Sequence, residues 1–265
     1  MKIAGKKILI TGASSGIGLA LAKELISREA KLALVSRSEE RLDKALIEIK
    51  TSYPRMPAPV SMVCDVTNRE SVSQLVEDCR KLLGDIDILI NNAGIGVYGV
   101  TDKTSIEDFR SVMEVNFFGA INCTLQMLPY MKSKGTGLIV NIASVAAMHG
   151  VPYLSAYSAS KAALVAFSQS LRAELKDKRI SIMIVYPGYT QTDFFKHEKK
   201  VGGARRPPGP YRPAKQVAQA IVKAIESDKE DVVLSIEGKI LSITKKLIPK
   251  LVDQAMQRIA LQLQA

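Results

Sequence analysis

A tyrosine and a lysine stand four positions apart in the segment YSASK, at Tyr157 and Lys161. If this segment is helical, the two side chains leave the same face of the helix and can reach one ligand. A phenol with its ordinary pKa of about 10 exchanges protons poorly at neutral pH, and a nearby ammonium stabilises the phenolate. We therefore expect Lys161 to lower the pKa of Tyr157, which would then transfer a proton to or from a ligand.

Two further polar side chains stand where they could assist this proton transfer. Ser144 ends the apolar run LIVNIAS, thirteen residues before Tyr157, and its hydroxyl can hydrogen-bond and polarise a ligand oxygen. Asn116 lies in the segment EVNFFG, where a buried side-chain amide needs hydrogen-bond partners. Taken singly, each of these residues could be a helix cap, a core ring, a surface lysine or a backbone partner, and only their combination favours catalysis.

A glycine-rich segment, TGASSGIG at residues 11–18, follows the apolar run KILIT and precedes a stretch with helical spacing. Such a turn presents backbone amides and the positive end of a helix dipole, which suit a pyrophosphate. Gly12 would permit the tight turn, Gly16 would leave room for the ligand, and Gly18 would let the helix approach the sheet. Taken alone, the cluster could be an ordinary turn.

The elements that must position these residues can be predicted from the hydrophobic pattern. Seven apolar runs predict strands, at 7–11, 31–36, 60–64, 86–90, 138–142, 180–186 and 231–236. Apolar strands that alternate with helices are typical of a parallel sheet covered on both faces. We therefore expect one α/β domain over residues 1–265, a Rossmann-type doubly wound parallel sheet of about seven strands in three α/β/α layers.

The order of the motifs resembles the short-chain dehydrogenase/reductase family over residues 5 to about 235. The matching motifs are TGASSGIG at 11–18, Asp65 in CDVT, NNAG at 91–94, Asn116, Ser144, YSASK at 157–161, and Pro187 and Gly188 with Thr192. The resemblance implies a carbonyl reductase or alcohol dehydrogenase in which hydride moves between nicotinamide C4 and the substrate carbon. It also implies that Tyr157 is the general acid/base, that Ser144 orients the substrate oxygen, and that Asn116 holds a water linking Lys161 to solvent.

The resemblance further implies which residues contact the dinucleotide. They are Gly12, Ser14, Ser15, Gly16, Ile17, Gly18, Ser36, Arg37, Asp65, Val66, Asn92, Ala93, Gly94, Tyr157, Lys161, Pro187, Gly188, Thr190 and Thr192. The second strand ends at Ser36 rather than at an acid, and the Arg37 guanidinium that follows can pair with a 2′-phosphate. NADP(H) is therefore favoured over NAD(H), and the alternative is that Arg37 is an ordinary surface arginine.

In the resembling family the substrate pocket forms from the segments that follow residues 94, 144 and 188. The candidate lining residues are mainly apolar and aromatic, and they are Val97, Tyr98, Val145, Met148, Val151, Tyr153 and Tyr189. This lining favours a hydrophobic ketone or aldehyde. The alternative is an anionic substrate such as an acyl thioester carrier, bound by basic side chains of the flap at 193–213. These side chains are His197, Lys199, Lys200, Arg205 and Arg206, and the simpler interpretation is that they are solvated loop charges.

The last quarter of the chain is basic and less regular. Residues 193–213 are rich in proline and glycine and predict a mobile substrate flap, and residues 214–227 predict a helix. Residues 239–265 predict a basic, amphipathic helical extension whose apolar face could contact a membrane surface, another subunit or its own domain.

Composition bounds the remaining functions. The formal net charge is +11, and residues 195–265 hold 14 Lys/Arg against 7 Asp/Glu. The simplest interpretation is a solvated basic face, and because no nucleic-acid-binding motif accompanies the charge we expect no nucleic-acid partner. Three cysteines without ligand spacing predict buried thiols, and two histidines are too few for a histidine metal site, so we expect no metal.

Location, assembly and the competing function complete the predictions. No export signal and no apolar run long enough to cross a bilayer is present, so we expect a cytoplasmic protein, with peripheral membrane contact left open. The family resemblance implies a homodimer or homotetramer. The main alternative function is a non-catalytic NADP(H)-binding sensor or scaffold.

Overall fold

The computed structural model describes residues 1–175, 179–194, 198–203, 206 and 211–263. The strands are β1 (Lys7–Thr11), β2 (Lys31–Ser36), β3 (Val60–Val63), β4 (Ile88–Asn91), β5 (Val97–Gly99), β6 (Gly137–Ile142), β7 (Ile180–Tyr186), β8 (Thr190–Gln191), β9 (Lys199–Val201), β10 (Arg212–Pro213) and β11 (Asp231–Val233). The α-helices are α1 (Gly16–Ile26), α2 (Glu39–Ser52), α3 (Arg69–Leu83), α4 (Ile106–Met113), α5 (Gly119–Lys134), α6 (Ser155–Glu174), α7 (Ala214–Glu226), α8 (Ile236–Leu247) and α9 (Pro249–Leu263).

The core is a seven-stranded sheet in the order β11-β7-β6-β4-β1-β2-β3, and all of its pairings are parallel. The strand order reverses direction between β1 and β4, which is the switch point of a doubly wound sheet. The central strands β4 and β6 are buried along their whole length, because helices cover both faces. The predicted Rossmann-type fold is confirmed.

Two helical layers cover the sheet. On one face α1, α2 and α7 contribute apolar side chains to a core that includes Leu21, Leu42 and Ile221. On the other face α3, α5 and α6 contribute to a second core that includes Val76 and Met127. Because the strands are parallel, their carboxyl ends all lie at one edge of the sheet, which is where doubly wound folds bind ligands.

Several helices begin where side chains can cap them. Ser38, Asn68, Ser105 and Ser235 accept hydrogen bonds from the backbone amides of Arg41, Ser71, Asp108 and Gly238, respectively. Such caps satisfy amides that have no partner inside the helix. The cap at Ser235 also corrects two predictions: the last strand ends at Val233 rather than at residue 236, and the C-terminal helical region begins at Ile236 rather than at residue 239.

The C-terminal extension is two helices rather than one. The chain leaves helical geometry at Ile248, whose φ is −139°, and α9 begins at Pro249. Proline is well suited to the first turn of a helix and cannot continue the preceding one, since its ring clashes with the earlier carbonyl. The region predicted as a helical extension is therefore divided into two helices at Ile248 and Pro249.

The proline-rich loop is only partly described. Of the predicted flap at 193–213, residues 195–197, 204, 205 and 207–210 lie outside the described residues, and with them His197 and Arg205. The described part forms two short parallel pairs, β5 with β9 and β8 with β10. The loop is thereby attached to the segments that follow β4 and β7.

Two predictions about composition can be compared directly with the structure. Cys64, Cys79 and Cys123 are free and buried, as predicted, and burial raises the pKa of their thiols to about 11, 12 and 12. Among the described helices, none has both the length and the apolar character that crossing a bilayer requires.

Gly18 shows how closely α1 approaches the sheet. A Cβ atom at this position would lie 2.3 Å from the Gly12 carbonyl oxygen and 2.6 Å from Nδ2 of Asn92. We expect Gly18→Ala to lower the free energy of unfolding by about 1–3 kcal/mol, as overpacking does in a close-packed interior. Gly150→Ala is the matched control because its Cβ would meet no atom within 4 Å. Equal urea midpoints for the two variants would contradict this account.

Candidate active site

A single cavity of about 830 Å³ lies along the carboxyl edge of the sheet and joins the glycine-rich turn to Tyr157. Its wall combines the turn before α1, the ends of β2, β3, β4 and β6, the start of α6 and the loop after β7. The cavity is lined by the predicted dinucleotide residues other than Gly18 and by the predicted catalytic residues Ser144, Tyr157 and Lys161, whereas Asn116 is not part of its wall. The fold therefore brings together groups that are up to about 180 positions apart in the sequence.

Tyr157 and Lys161 lie on one face of α6, as their spacing predicted. The Lys161 ammonium is 5.9 Å from the centroid of the Tyr157 ring and donates a 2.9 Å hydrogen bond to the carbonyl oxygen of Ile142. The Ser144 hydroxyl is close enough to the Tyr157 phenol to favour its ionised form. Ser144 is held in turn by the backbone amide of Ala146, which donates to its Oγ at 3.1 Å.

The protonation of this pair differs from the prediction. Burial raises the pKa of Tyr157 to about 12, and the hydrogen bond from Ser144 offsets only part of this effect. Burial also lowers the pKa of Lys161 to about 8. The expected net lowering of the Tyr157 pKa is not found, because desolvation of the phenolate outweighs the effects that favour ionisation. The Tyr157 phenol thus holds its proton at neutral pH.

The low pKa of Lys161 predicts a pH-dependent cost to stability. The Lys161 amine binds its proton more tightly in the unfolded chain than in the folded chain, so the charged lysine lowers the free energy of unfolding. This destabilisation is complete below about pH 8 and disappears as pH rises toward 10.5, the ordinary pKa of lysine. Lys161→Met removes the charge. We expect its unfolding free energy, relative to wild type, to fall by about 2 kcal/mol between pH 7 and pH 10.

Urea denaturation of both proteins at the two pH values measures this change. The packing that the variant loses is the same at both pH values and cancels in the comparison. The difference between an ammonium and an amine as donor to Ile142 is already contained in the pKa of about 8. Lys81→Met, at an exposed lysine, is the control and should give the same difference from wild type at both pH values. A pH-independent effect of Lys161→Met would refute the proposed desolvation of the ammonium.

Asn116 lies in a π-helical turn, Glu114–Phe118, between α4 and α5. Its buried amide accepts a hydrogen bond from the Ile95 amide at 2.8 Å and donates to the Ile95 carbonyl at 3.0 Å and to Ser160 Oγ at 2.9 Å. A Cβ on Gly94 would lie 3.1 Å from Asn116 Oδ1 and 3.6 Å from Lys161 Nζ. The extra residue of the π turn therefore orients the Asn116 amide toward the segment that follows β4 and toward α6, the helix that carries Lys161.

The glycine-rich turn fits a dinucleotide phosphate. Gly12 and Gly16 have φ values of +64° and +56°, which favour glycine, and a Cβ at Gly12 would lie 2.8 Å from the Cα of Ala93. Ser15 stands at the N-terminus of α1, and its side chain makes no capping hydrogen bond. The first amides of α1 border the cavity, where they suit an anion. Gly18, by contrast, lies off the cavity wall against the turn and acts through packing.

Asn92, the second asparagine of NNAG, joins the end of β4 to the glycine-rich turn. Asn92 Nδ2 donates to the carbonyl oxygens of Thr11 and Gly12, both at 3.0 Å, and the amides of Asn92 and Ala93 donate to Thr11 Oγ1. These bonds join the ends of β1 and β4 across the switch point. Asn92, Ala93 and Gly94 consequently line the cavity, as predicted.

The end of β2 presents hydroxyls and arginines rather than an acid. Ser14 Oγ donates to Ser36 Oγ at 3.0 Å, and the Arg37 guanidinium lies 3.9 Å from a carboxylate oxygen of Asp65. The Arg37 side chain is 59% exposed, so this ion pair leaves it accessible to a ligand. Arg41, one helical turn further along, also lines the cavity and was missed in the sequence because no motif marks it.

The remaining dinucleotide residues follow β3 and β7. Asp65 Oδ1 accepts hydrogen bonds from the Thr67 amide and hydroxyl, which fixes the turn beside Val66. Pro187, Gly188, Thr190 and Thr192 all border the cavity. A Cβ on Gly16 would lie 3.3 Å from Thr192, so this loop closes over the glycine-rich turn.

The structure places only some of the predicted substrate residues at the cavity. Val145, Val151 and Tyr189 line it, whereas Val97, Tyr98, Met148 and Tyr153 do not. The pairing of β5 with β9 buries Val97 and Tyr98. Tyr153 turns away because its hydroxyl donates to the Ala260 carbonyl at 2.7 Å, and Met148 packs in a small core with Ile184 and Tyr186. Tertiary contacts of loops decide these orientations.

Four residues that were not predicted line the part of the cavity that we call the substrate end. They are Ile95, Leu154, Phe194 and Glu198. The Phe194 ring meets the Tyr157 ring edge-on, with 5.7 Å between centroids. Glu198 is buried and ion-paired with Arg206, and Lys199 is paired with Asp108 at 2.8 Å. No periodicity or motif marks these loop residues in the sequence.

Comparison with known proteins agrees with this geometry. Residues 6–201 match the family model described as short chain dehydrogenase. The chain is 35% identical to the ketoacyl reductase HetN of Nostoc sp. (strain PCC 7120), over 93% of this chain and 84% of the relative. It is 34% identical to a fatty acyl-CoA reductase of Acinetobacter baylyi, over 93% of this chain and 81% of the relative.

Solved structures share the fold. A short chain dehydrogenase from Burkholderia cenocepacia in complex with NADP has a TM-score of 0.82 at 28% identity, covering 97% of this chain and 99% of the other. A short chain dehydrogenase/reductase from Burkholderia phymatum in complex with NAD has a TM-score of 0.83 at 25% identity, over 95% and 96% of the two chains. Sequence, fold and cavity agree, and the chain belongs to the short-chain dehydrogenase/reductase family of oxidoreductases.

Proposed function

We propose that this chain is an NADP(H)-dependent carbonyl reductase or alcohol dehydrogenase with Tyr157 as its general acid/base. The observation that supports it most directly is that Tyr157, Ser144 and Lys161 line the same cavity as the glycine-rich turn. A hydride donor held along this cavity would reach a substrate beside Tyr157 and Ser144. The bound nicotinamide supplies or accepts the hydride at its C4 atom.

The proton steps can be assigned to this chain's own residues. In reduction, the Tyr157 hydroxyl gives its proton to the substrate oxygen, while the Ser144 hydroxyl donates a hydrogen bond to the same oxygen and disperses its developing charge. Lys161 stabilises the phenolate that remains, since its ammonium is the nearby cation on the same helix. Asn116 positions the Ile95 backbone and Ser160 beside Lys161, and we assign it to the route by which the proton is replaced.

The preference for NADP(H) rests on the charges at the end of β2. Ser36 stands where a carboxylate would bind the ribose 2′-hydroxyl, and Arg37 is exposed beside it. A 2′-phosphate would gain a charge-assisted pair with Arg37, and Arg41 lines the same part of the cavity. The nearby carboxylate of Asp65 weakens this attraction without cancelling two guanidinium groups.

The proposed substrate is a hydrophobic ketone or aldehyde. Val145, Val151 and Leu154 with Phe194 give the substrate end an apolar wall. The names of the relatives, a ketoacyl reductase and a fatty acyl-CoA reductase, are consistent with an acyl chain beside the reacting carbonyl. Recognition of an anionic carrier has less support, because Lys199 and Arg206 already pair with Asp108 and Glu198.

Two further parts of the proposal concern assembly and the alternative function. We propose a homodimer or homotetramer, since Phe118 at the end of the π turn and Leu125 on α5 leave exposed apolar surface. The alternative, a non-catalytic NADP(H)-binding sensor or scaffold, is disfavoured because Ser144, Tyr157 and Lys161 together line the cavity. Binding a dinucleotide does not by itself need a serine and a tyrosine beside each other at this position.

NADPH absorbance at turnover tests this function. Purified protein is given NADPH with medium- and long-chain ketones, aldehydes and ketoacyl thioesters, with small polar carbonyls as a matched series and NADH in parallel. We expect NADPH consumption that increases with chain length. NADPH binding without turnover in either direction would favour the sensor, and a preference for small polar carbonyls would contradict the hydrophobic pocket.

A further inference from the structure

The C-terminal tail, α8 and α9 at residues 236–263, has a much higher density of exposed large apolar side chains than the rest of the described protein. Among the described residues, seven of the fourteen exposed large apolar side chains lie in these 28 positions. Isolated exposed apolar side chains are normal on a protein surface, whereas a contiguous group indicates a binding surface. The tail therefore has an outer face that needs a partner.

Four of these side chains form one stripe on α8. The tail stripe consists of Ile236, Ile240, Ile243 and Leu247, which are 68%, 59%, 59% and 74% exposed. Their spacing of four, three and four places all of them on one face of the helix. Two residues on the far side of α8 contact the domain: Gly238 is buried against Val145, and Lys245 donates to the Met148 carbonyl. The stripe consequently points away from the protein.

The charges around the tail stripe identify the partner. The tail holds five basic and two acidic side chains, and Lys239 and Lys246 are exposed beside the stripe. An anionic bilayer offers both an apolar interior for the stripe and phosphates for the lysines. A second copy of the chain is a poorer match, since a two-fold interface would bring the same lysines of both copies together.

We propose that the tail stripe binds an anionic lipid surface as an interfacial helix. The inner face of the tail contacts the loop between Ser144 and α6: Tyr153 donates to the Ala260 carbonyl at 2.7 Å, and His149 lies 3.5 Å from Asp253. Two residues of that loop, Val145 and Val151, line the substrate end of the cavity. Membrane binding therefore places the substrate end close to the lipid.

Co-sedimentation with vesicles tests the proposal. The full chain is mixed with vesicles of phosphatidylcholine and phosphatidylglycerol, or of phosphatidylcholine alone. We expect sedimentation with the anionic vesicles, weakened by added salt. The triple variant Ile240→Ser/Ile243→Ser/Leu247→Ser should bind at least about tenfold more weakly, because three apolar side chains no longer enter the lipid.

The matched control is Ile47→Ser/Leu82→Ser/Ile106→Ser, which removes three equally exposed apolar side chains outside the tail. This control should sediment like wild type, and both triple variants should keep the unfolding midpoint of wild type. No sedimentation of wild type, or equal sedimentation of the two triple variants, would overturn the proposal. Loss of a dimer in the tail variant without vesicle binding by wild type would assign the stripe to a second copy. None of these measurements depends on enzymatic activity.

Discussion

Tyr157→Phe is expected to lower kcat for carbonyl reduction by about a thousandfold, the scale of a lost general acid. The substitution removes one oxygen atom and with it the proton donor. The ring keeps its edge-on contact with Phe194, so the cavity wall and the dissociation constant for NADPH should change little. Steady-state absorbance at saturating substrate measures kcat, and fluorescence titration measures the dissociation constant for NADPH.

Tyr186→Phe is the matched control for this variant. Tyr186 is also a buried tyrosine, and burial raises its pKa to about 12 as well, but it lies at the end of β7 outside the cavity wall. It should keep the kcat of wild type. If Tyr157→Phe retained more than about a tenth of wild-type kcat, another group would have to supply the proton.

The raised pKa of Tyr157 also gives the two reaction directions different pH dependences. The phenol keeps its proton until pH approaches about 12, so reduction should not lose its acid through neutral and mildly alkaline pH. Alcohol oxidation needs the phenolate and should become faster as pH rises. An oxidation rate that falls with rising pH would have the wrong sign for Tyr157 as base.

Arg37→Ala is expected to raise the KM for NADPH by about 10- to 100-fold, the range of one lost charge-assisted hydrogen bond. The KM for NADH should stay the same, since NADH has no 2′-phosphate for the guanidinium to bind. Because Arg41 lines the same part of the cavity, the double variant Arg37→Ala/Arg41→Ala should lose more than either single variant. Initial rates over a range of each cofactor measure these constants.

Two further variants make this test specific. Ser36→Asp introduces the carboxylate that the end of β2 lacks, and it should favour NADH by binding ribose hydroxyls and repelling the 2′-phosphate. Arg69→Ala removes an exposed arginine at the start of α3 and should leave both KM values unchanged. Equal losses for NADPH and NADH in Arg37→Ala would show that Arg37 does not select the cofactor.

The two predictions concern opposite ends of one cavity, and their results separate catalysis from cofactor choice. A loss of kcat at Tyr157 with normal NADPH binding would establish the chemistry and exclude the sensor. A selective change at Arg37 would establish the cofactor whatever the substrate is. Neither result depends on the tail, whose outer face acts through the position of the protein rather than through the reacting atoms.

Much of this protein could be predicted from local features of the sequence. A strand of alternating or continuous apolar residues, a glycine at positive φ and a pair of side chains four apart on a helix are set by neighbours within a few positions. The seven strands, the turn containing Gly12 and Gly16, and the common face of Tyr157 and Lys161 were therefore correctly predicted. Strand ends were less accurate, because a cap such as Ser235 competes with the strand for the same residues.

Only the tertiary structure decided the properties that depend on burial and on contacts between distant segments. The pKa of Tyr157 rises instead of falling because the fold removes water from the phenol, which no spacing in the sequence records. The substrate wall contains Phe194 and Glu198 rather than Tyr98 and Tyr153, because pairing between loops turns these side chains in or out. Periodicity determined the elements, and long-range packing determined the environment in which their chemistry takes place.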